Sequence, residues 1–153
     1  SHEVRVFDTP GHTAGHITYW LPADSVAFAG DTLFAIGCGR VIEGNAQMMW
    51  QSLQKLMALP KDTVVYCGHE YTQANARFAL TIEPENEALQ KRAQEVDQRR
   101  AAGKPTLPTN IGIELETNPF LRPQVAAIQQ RLGMVGKPDW QIFGEIRERK
   151  NRS

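Results

Sequence analysis

The amino-acid sequence predicts an α/β fold whose second half is mostly α-helical. Three observations carry this. Short alternating or β-branched runs crowd the residues up to Cys67, one stretch among them has helical spacing, and from Thr72 onward apolar residues recur at helical intervals.

Residues 3–7 alternate, with Val4 and Val6 on one face and Arg5 on the other. His16–Trp20 and Val26–Ala29 are short apolar or aromatic runs separated by Pro22-Ala23-Asp24, so the three stretches are expected to be adjacent strands. Asn45 is a good N-cap, and Met49, Leu53 and Leu56 follow at helical spacing, which predicts a helix over 46–58 stopped by Pro60. Thr63-Val64-Val65-Tyr66-Cys67 is uncharged, rich in β-branched residues and bounded by turn residues and Gly68; it reads as a fourth strand, in a sheet covered on both faces. Helices are then expected over 72–81 and 85–102, the second with Leu89, Ala93 and Val96 on one face and Gly103 as its stop. Residues 103–122 hold three prolines and two glycines without a steady period and read as a structured, packed loop, followed by helices at 123–132 and 138–150.

The 153 residues contain 41% hydrophobic and 22% charged side chains, close to globular averages, so a folded chain is expected. Lys+Arg and Asp+Glu are equal at 17 each, leaving no positive excess for a nucleic-acid backbone or an anionic membrane. No apolar run approaches the roughly 20 residues of a membrane span. Cys38 and Cys67 are too few for a disulfide scaffold and read as free thiols. These features predict a cytoplasmic protein with neither nucleic acid nor membrane as partner.

Three segments place a metal-competent side chain just beyond a strand, among residues that let backbone and ligand approach closely. They are Thr9-Pro10-Gly11-His12-Thr13-Ala14-Gly15-His16, Ala29-Gly30-Asp31-Thr32-Leu33-Phe34 and Tyr66-Cys67-Gly68-His69-Glu70-Tyr71-Thr72. Neutral imidazole and carboxylate suit zinc or iron, and a carboxylate can bridge two ions, so His12, Asp31 and His69 are candidate ligands. Taken singly, His12 could be a turn residue, Asp31 an N-cap and His69 a satisfied histidine below a helix start. His2 reads as a terminal residue, and His16 as a strand residue or one that orients a ligand.

The three segments in this order resemble the metallo-β-lactamase superfamily. Further motifs narrow the resemblance to the glyoxalase II, or hydroxyacylglutathione hydrolase, family: Gly37-Cys38-Gly39-Arg40, Glu43-Gly44, Asn75 and Phe78, Glu83-Pro84, Lys104-Pro105-Thr106 with Pro108, and Asn118-Pro119-Phe120-Leu121-Arg122. The resemblance implies part of an αββα sandwich over residues 1–83 and a helical substrate-binding region over 84–153. It implies two divalent metal ions, zinc foremost with iron or manganese as alternatives. His12 would bind the first, His69 the second, and Asp31 would be the catalytic bridge, with a hydroxide held between the ions. Such a hydroxide attacks a thioester at neutral pH, and the thiolate, from a thiol of pKa about 8.5, leaves without a strong acid.

The implied substrate is a glutathione thioester carrying a 2-hydroxyacyl group such as lactoyl, contacted by Arg40, Tyr71, Arg147 and Lys150. A spacing of three places Arg147 and Lys150 on one helical face, where two cations can hold a carboxylate; without the resemblance they would read as a basic helix end. The family's N-terminal His-x-His-x-Asp-His motif has no counterpart here, so the missing half of the fold is an expected partner of this chain. Ile42 stands where many members have an aromatic, and Asn151 where an acid is common. A related sulfur dioxygenase or other hydrolase of the superfamily, or a non-catalytic module that binds glutathione conjugates, is the alternative.

Overall fold

The computed structural model describes residues 3–153, so His2 lies outside the described residues. Strands β1 (Arg5–Asp8), β2 (Ile17–Leu21), β3 (Val26–Gly30) and β6 (Val64–Cys67) lie side by side, with a two-residue strand β7 (Thr109–Asn110) at the far edge. The first three run antiparallel, and β6 is parallel to β3. That parallel step needs a crossover, and helix α1 (Ala46–Met57) lies within it. Asn45 accepts a hydrogen bond from Met48 N at 2.8 Å, capping α1 as its sequence predicts. A short ribbon, β4 (Leu33–Phe34) with β5 (Gly37–Cys38), follows β3.

The helical half contains α2 (Thr72–Ile82), α3 (Glu87–Ala101), α4 (Ile111–Thr117), α5 (Ala126–Leu132) and α6 (Asp139–Asn151). Asn86 and Asn110 cap α3 and α4 through Leu89 N and Ile113 N. The segment 103–122, expected to be loop, instead holds β7, α4 and a 3-10 turn at Pro119–Leu121. Its inward positions on α4 are Ile111, Glu114 and Thr117, so the buried face is mostly polar and leaves no apolar period to read.

One face of the sheet is buried. Ala27, Ala29 and Val65 point into a core formed with Met49, Leu53 and Leu56 of α1 and with Phe143 and Ile146 of α6. Residues of both halves thus share one core, in which a Leu53→Ala change would cost about 2–5 kcal/mol. The opposite face is open. Val6 pairs with Tyr19, Tyr19 with Phe28 and Phe28 with Tyr66, forming one row across four strands. Each side chain in that row is between 43% and 55% exposed. This corrects the expectation that strand 63–67 is covered on both faces: Val65 is buried, but Tyr66 stacks on Phe28 in the open. An uncharged, β-branched run fits a doubly covered strand and a half-open one alike. A contiguous apolar row of this kind promotes association. Replacing Tyr19 and Phe28 together with threonine, which keeps strand propensity, is therefore expected to lower light scattering and apolar-dye binding while leaving the far-ultraviolet spectrum unchanged.

Candidate metal and substrate site

The site stands at the ends of β3 and β6. Asp31 follows β3 directly and His69 lies just past β6, and because these strands are parallel neighbours both residues emerge at the same sheet edge. His12 comes from the loop joining β1 to β2. Its Nδ1 donates to the Arg40 carbonyl at 3.1 Å. A carbonyl only accepts, so in the neutral ring Nε2 carries the lone pair, and it faces Asp31 Oδ2 at 3.4 Å. The other carboxylate oxygen, Oδ1, is 3.0 Å from His69 Nδ1. Asp31 thus offers one oxygen to each histidine.

The backbone is pared away around this carboxylate. A Cβ on Gly68 would collide with Asp31 Oδ1, and one on Gly39 with the Asp31 carbonyl oxygen. His69 stacks on Tyr71, with centroids 4.9 Å apart and planes 3° from parallel, and meets Phe34 edge-on.

The donor set fits a divalent cation in kind. Two donors held at roughly 2.0–2.2 Å by a tetrahedral zinc stand about 3.3–3.6 Å apart. The His12–Asp31 separation of 3.4 Å has that value, whereas the 3.0 Å of His69–Asp31 is a direct hydrogen bond. Among the described residues, no group of three or more His, Cys, Asp or Glu converges to hold one ion. Each ion would therefore find at most two protein ligands here, Asp31 being shared.

His16, read from sequence as a strand residue or an orienting one, lies just before β2 and contacts the Asp31 backbone. Its Nε2 accepts from the Asp31 backbone N–H at 3.2 Å, and its Nδ1 lies 2.9 Å from Thr32 Oγ1 and 3.2 Å from Thr9 Oγ1. Burial lowers the His16 pKa, against the raising pull of the Asp31 charge, which favours the neutral ring that this acceptor role requires. Replacing His16 with alanine is expected to weaken divalent-metal affinity by about 10–100-fold, read by chelator competition.

His12, Asp31, Arg40, His69, Tyr71, Arg147 and Lys150 all line one cavity of about 390 Å³. Within it Arg147 is buried, and its Nη1 donates to the Cys38 carbonyl at 2.7 Å while Nε donates to Asn151 Oδ1 at 3.0 Å. Asn151, where an acid is common in the family, is thus an intrahelical partner of Arg147. Lys150 lies over the Phe78 ring at 5.7 Å, and its pKa is lowered first by burial and then by the charges of Arg147 and Arg40. Three cations around one cavity disfavour one another until an anion joins them.

Sequence reading assigned no role to Glu70 or Glu114. Glu70 accepts from Thr106 N at 2.6 Å and from Thr106 Oγ1, tying the His69 loop to the segment before β7. Burial alone would raise its pKa, but the Thr106 bonds hold it below the ordinary carboxylate value. Its place within the quoted His69-Glu70-Tyr71 motif was the available signal. Glu114 left none.

A parallel β3–β6 pair that delivers a carboxylate between two histidines, with helices on one sheet face, is the arrangement of a metallo-β-lactamase-type protein. A family model described as "Metallo-beta-lactamase superfamily" matches residues 1–69, and one described as "Hydroxyacylglutathione hydrolase C-terminus" matches residues 70–153. The chain belongs to the hydroxyacylglutathione hydrolase family, and the resemblance read from its motifs is borne out.

Among its relatives are proteins named hydroxyacylglutathione hydrolase from Brucella anthropi, 59% identical over 97% of this chain, and from Methylococcus capsulatus, 54% identical over 99% of it. The chain spans 57% and 59% of the length of these two relatives. Of solved structures, ETHE1 from Myxococcus xanthus is similar with a TM-score of 0.59 and 27% identity over 99% of this chain and 47% of that one. A B3 metallo-beta-lactamase named BLEG-1 gives a TM-score of 0.52 and 27% identity, covering 78% of this chain and 41% of its own. A protein named TTHA1623, solved in a di-iron-bound form, gives 0.51 and 26%, covering 77% and 42%. Membership in this superfamily implies divalent metal ions.

Proposed function

We propose that this chain carries the bridging part of a dimetal site that hydrolyses S-(2-hydroxyacyl)glutathione thioesters, such as S-D-lactoylglutathione, to glutathione and a 2-hydroxy acid. The observation that carries the reading is that Asp31 turns one oxygen to His12 and the other to His69 inside a cavity whose walls also hold Arg40, Arg147 and Lys150. We assign His12, Asp31 and His69 as metal ligands, with zinc foremost; a di-iron-bound structural relative keeps iron as an alternative. The remaining ligands would come from an N-terminal segment of the family that completes the sandwich over the open sheet face. Residues 1–83 then form the metal-bearing part and 84–153 the substrate-binding region.

When bound, divalent ions supply a water of lowered pKa as nucleophile and polarise the acyl carbonyl. The residues of this chain do the positioning. The Arg40 carbonyl fixes the His12 tautomer, leaving Nε2 free to bind. His16 holds the Asp31 backbone, and with it the direction of the carboxylate. Lys150, Arg40 and the Nη2 edge of Arg147 receive the terminal carboxylate of the tripeptide, which offsets the burial and, after it, the Arg147 and Arg40 charges that lower the Lys150 pKa. Tyr71, stacked on His69 and half exposed, offers its hydroxyl to the part of the substrate nearest the thioester. Hydrolysis breaks the C–S bond, and the departing thiolate, conjugate to a thiol of pKa about 8.5, leaves without a dedicated acid.

Both cysteines are free, which fits a reducing compartment, and we place the enzyme in the cytoplasm. Among the described residues no helix is long and apolar enough to cross a membrane.

The test is turnover of S-D-lactoylglutathione, followed by loss of thioester absorbance, in a form extended by the family's N-terminal histidine segment. Turnover that a chelator abolishes, with a KM that rises about tenfold on Lys150→Ala, supports the reading. No turnover with either zinc or iron supplied rejects it.

A further inference from the structure

We propose that Glu114 is a positioning residue for the substrate cavity: it holds the turn 34–39 in a left-handed form that the turn's own sequence disfavours. The proposal rests on the thioesterase reading for what the cavity binds, but not for how the turn is held.

Ile36 lies at the apex of the β4–β5 ribbon with φ +59° and no exposed surface. A β-branched residue in this region is an outlier, and such a conformation persists only where its surroundings over-determine it. The surroundings here are side chains of the helical half. Asn75 donates to the Ala35 carbonyl at 3.1 Å, Asn118 to the Gly37 carbonyl at 3.0 Å and Arg147 to the Cys38 carbonyl at 2.7 Å. The Ile36 N–H itself donates to Glu114 Oε1 at 2.8 Å. Asn118 also donates to Oε1, and Arg92 and Thr109 donate to Oε2 at 2.6 and 2.7 Å. Every partner of this fully buried carboxylate is a donor, so the group serves purely as an acceptor.

The turn in question shapes the site. Phe34 and Cys38 on its two arms line the cavity, as do Gly39 and Arg40 beyond it, and the Arg40 carbonyl fixes His12. A carboxylate on α4, 78 positions away in sequence, therefore sets a cavity wall and the anchor of a candidate ligand through one backbone N–H.

The competing account is that Glu114 merely pairs with Arg92 to stabilise the core. Glu114→Gln separates the two. The amide oxygen would go to the charged Arg92 side, where the bond is stronger, and would set an NH2 against the Ile36 N–H. The turn loses its hold while most of the Arg92 contact survives.

Cys38 reports on this turn. It is buried, and burial, partly offset by Arg147, pushes its thiol up to about 11. Its reaction with an aromatic disulfide reagent, measured in a Cys67→Ser background at fixed pH, therefore requires local opening. Glu114→Gln is expected to raise the labelling rate about tenfold at denaturant concentrations well below global unfolding. Ile36→Gly and Ile36→Ala are then each added to Glu114→Gln. Both truncate the buried side chain, but only glycine takes φ +59° freely, so the glycine double variant should label several-fold more slowly than the alanine one. Equal rates in the two double variants, or no acceleration by Glu114→Gln, would overturn the proposal.

Calorimetric binding of glutathione is followed in parallel and should weaken in step with labelling. Unchanged binding in Glu114→Gln overturns the positioning role. Labelling that behaves as expected while no form binds glutathione rejects the substrate reading and leaves the holding of the turn established.

Discussion

Replacing Asp31 with alanine should lower thioester hydrolysis by on the order of 10³-fold or more in the extended form, because both ions would lose their shared ligand at once. The fold should hardly notice. Asp31 is partly exposed, its backbone N–H can still donate to His16, and no described core residue leans on its carboxylate. The change in unfolding free energy is therefore expected to stay below about 1 kcal/mol. The split matters because a residue of purely structural importance would show the reverse pattern. A steady-state rate and a urea titration on the same preparation measure both quantities. Retention of a tenth or more of the rate in Asp31→Ala would remove this residue from the centre of the mechanism.

The largest stability effect is expected elsewhere, at Arg92. Its guanidinium donates to Glu114 Oε2, Thr117 Oγ1 and Thr109 Oγ1 across α3, α4 and β7, and Glu114 has no exposed surface. Arg92→Met would leave a buried carboxylate without its counter-charge, at a cost of about 3–5 kcal/mol. Adding Glu114→Leu should recover much of that loss, since replacing a buried ion pair by apolar side chains is often near neutral. Under the turn proposal the recovered stability would come without recovered glutathione binding, because leucine accepts nothing from the Ile36 N–H. Urea unfolding of the single and double variants decides the first point, and a cost under about 1 kcal/mol for Arg92→Met would show that the pair carries little.

Much of this was legible in sequence where local chemistry is self-announcing. The Asn45 cap with Met49, Leu53 and Leu56 marked α1, whose apolar face is buried, while alternation marked β1 and short apolar or aromatic runs marked β2 and β3. His12, Asp31 and His69 stood out because close backbone approach demands glycine nearby, and glycine is visible. The hidden parts share a different character. Strands β4, β5 and β7 are two residues long, too short to show a period. Helix α4 buries Glu114 and Thr117 where a helix is recognised by apolar residues. The hold of Glu114 on Ile36 is wholly long-range, and isoleucine at φ +59° is the opposite of what turn chemistry favours. The open sheet face agrees with the missing half of the fold expected as a partner, whereas the composition of strand 63–67, read as covered on both faces, does not record which of its faces finds a partner.

The cations lining the cavity, Arg40, Arg147 and Lys150, are not equivalent. Arg147 and Lys150 share a cavity as their spacing suggested, yet Arg147 is largely committed to the Cys38 carbonyl and Asn151 while Lys150 carries the depressed pKa. Under the proposed function, anion binding here would draw on Lys150 and Arg40 for free charge and on Arg147 for a fixed edge.

The most direct test of the dimetal account is metal content per chain, measured by elemental analysis on the extended form and its His12→Ala and His69→Ala variants. If Asp31 bridges two ions, the parent should hold two per chain, and each histidine variant should lose close to one, with Asp31→Ala losing both. A parent that holds a single ion, or histidine variants that both retain two, would contradict the assignment of Asp31 as the shared ligand between them.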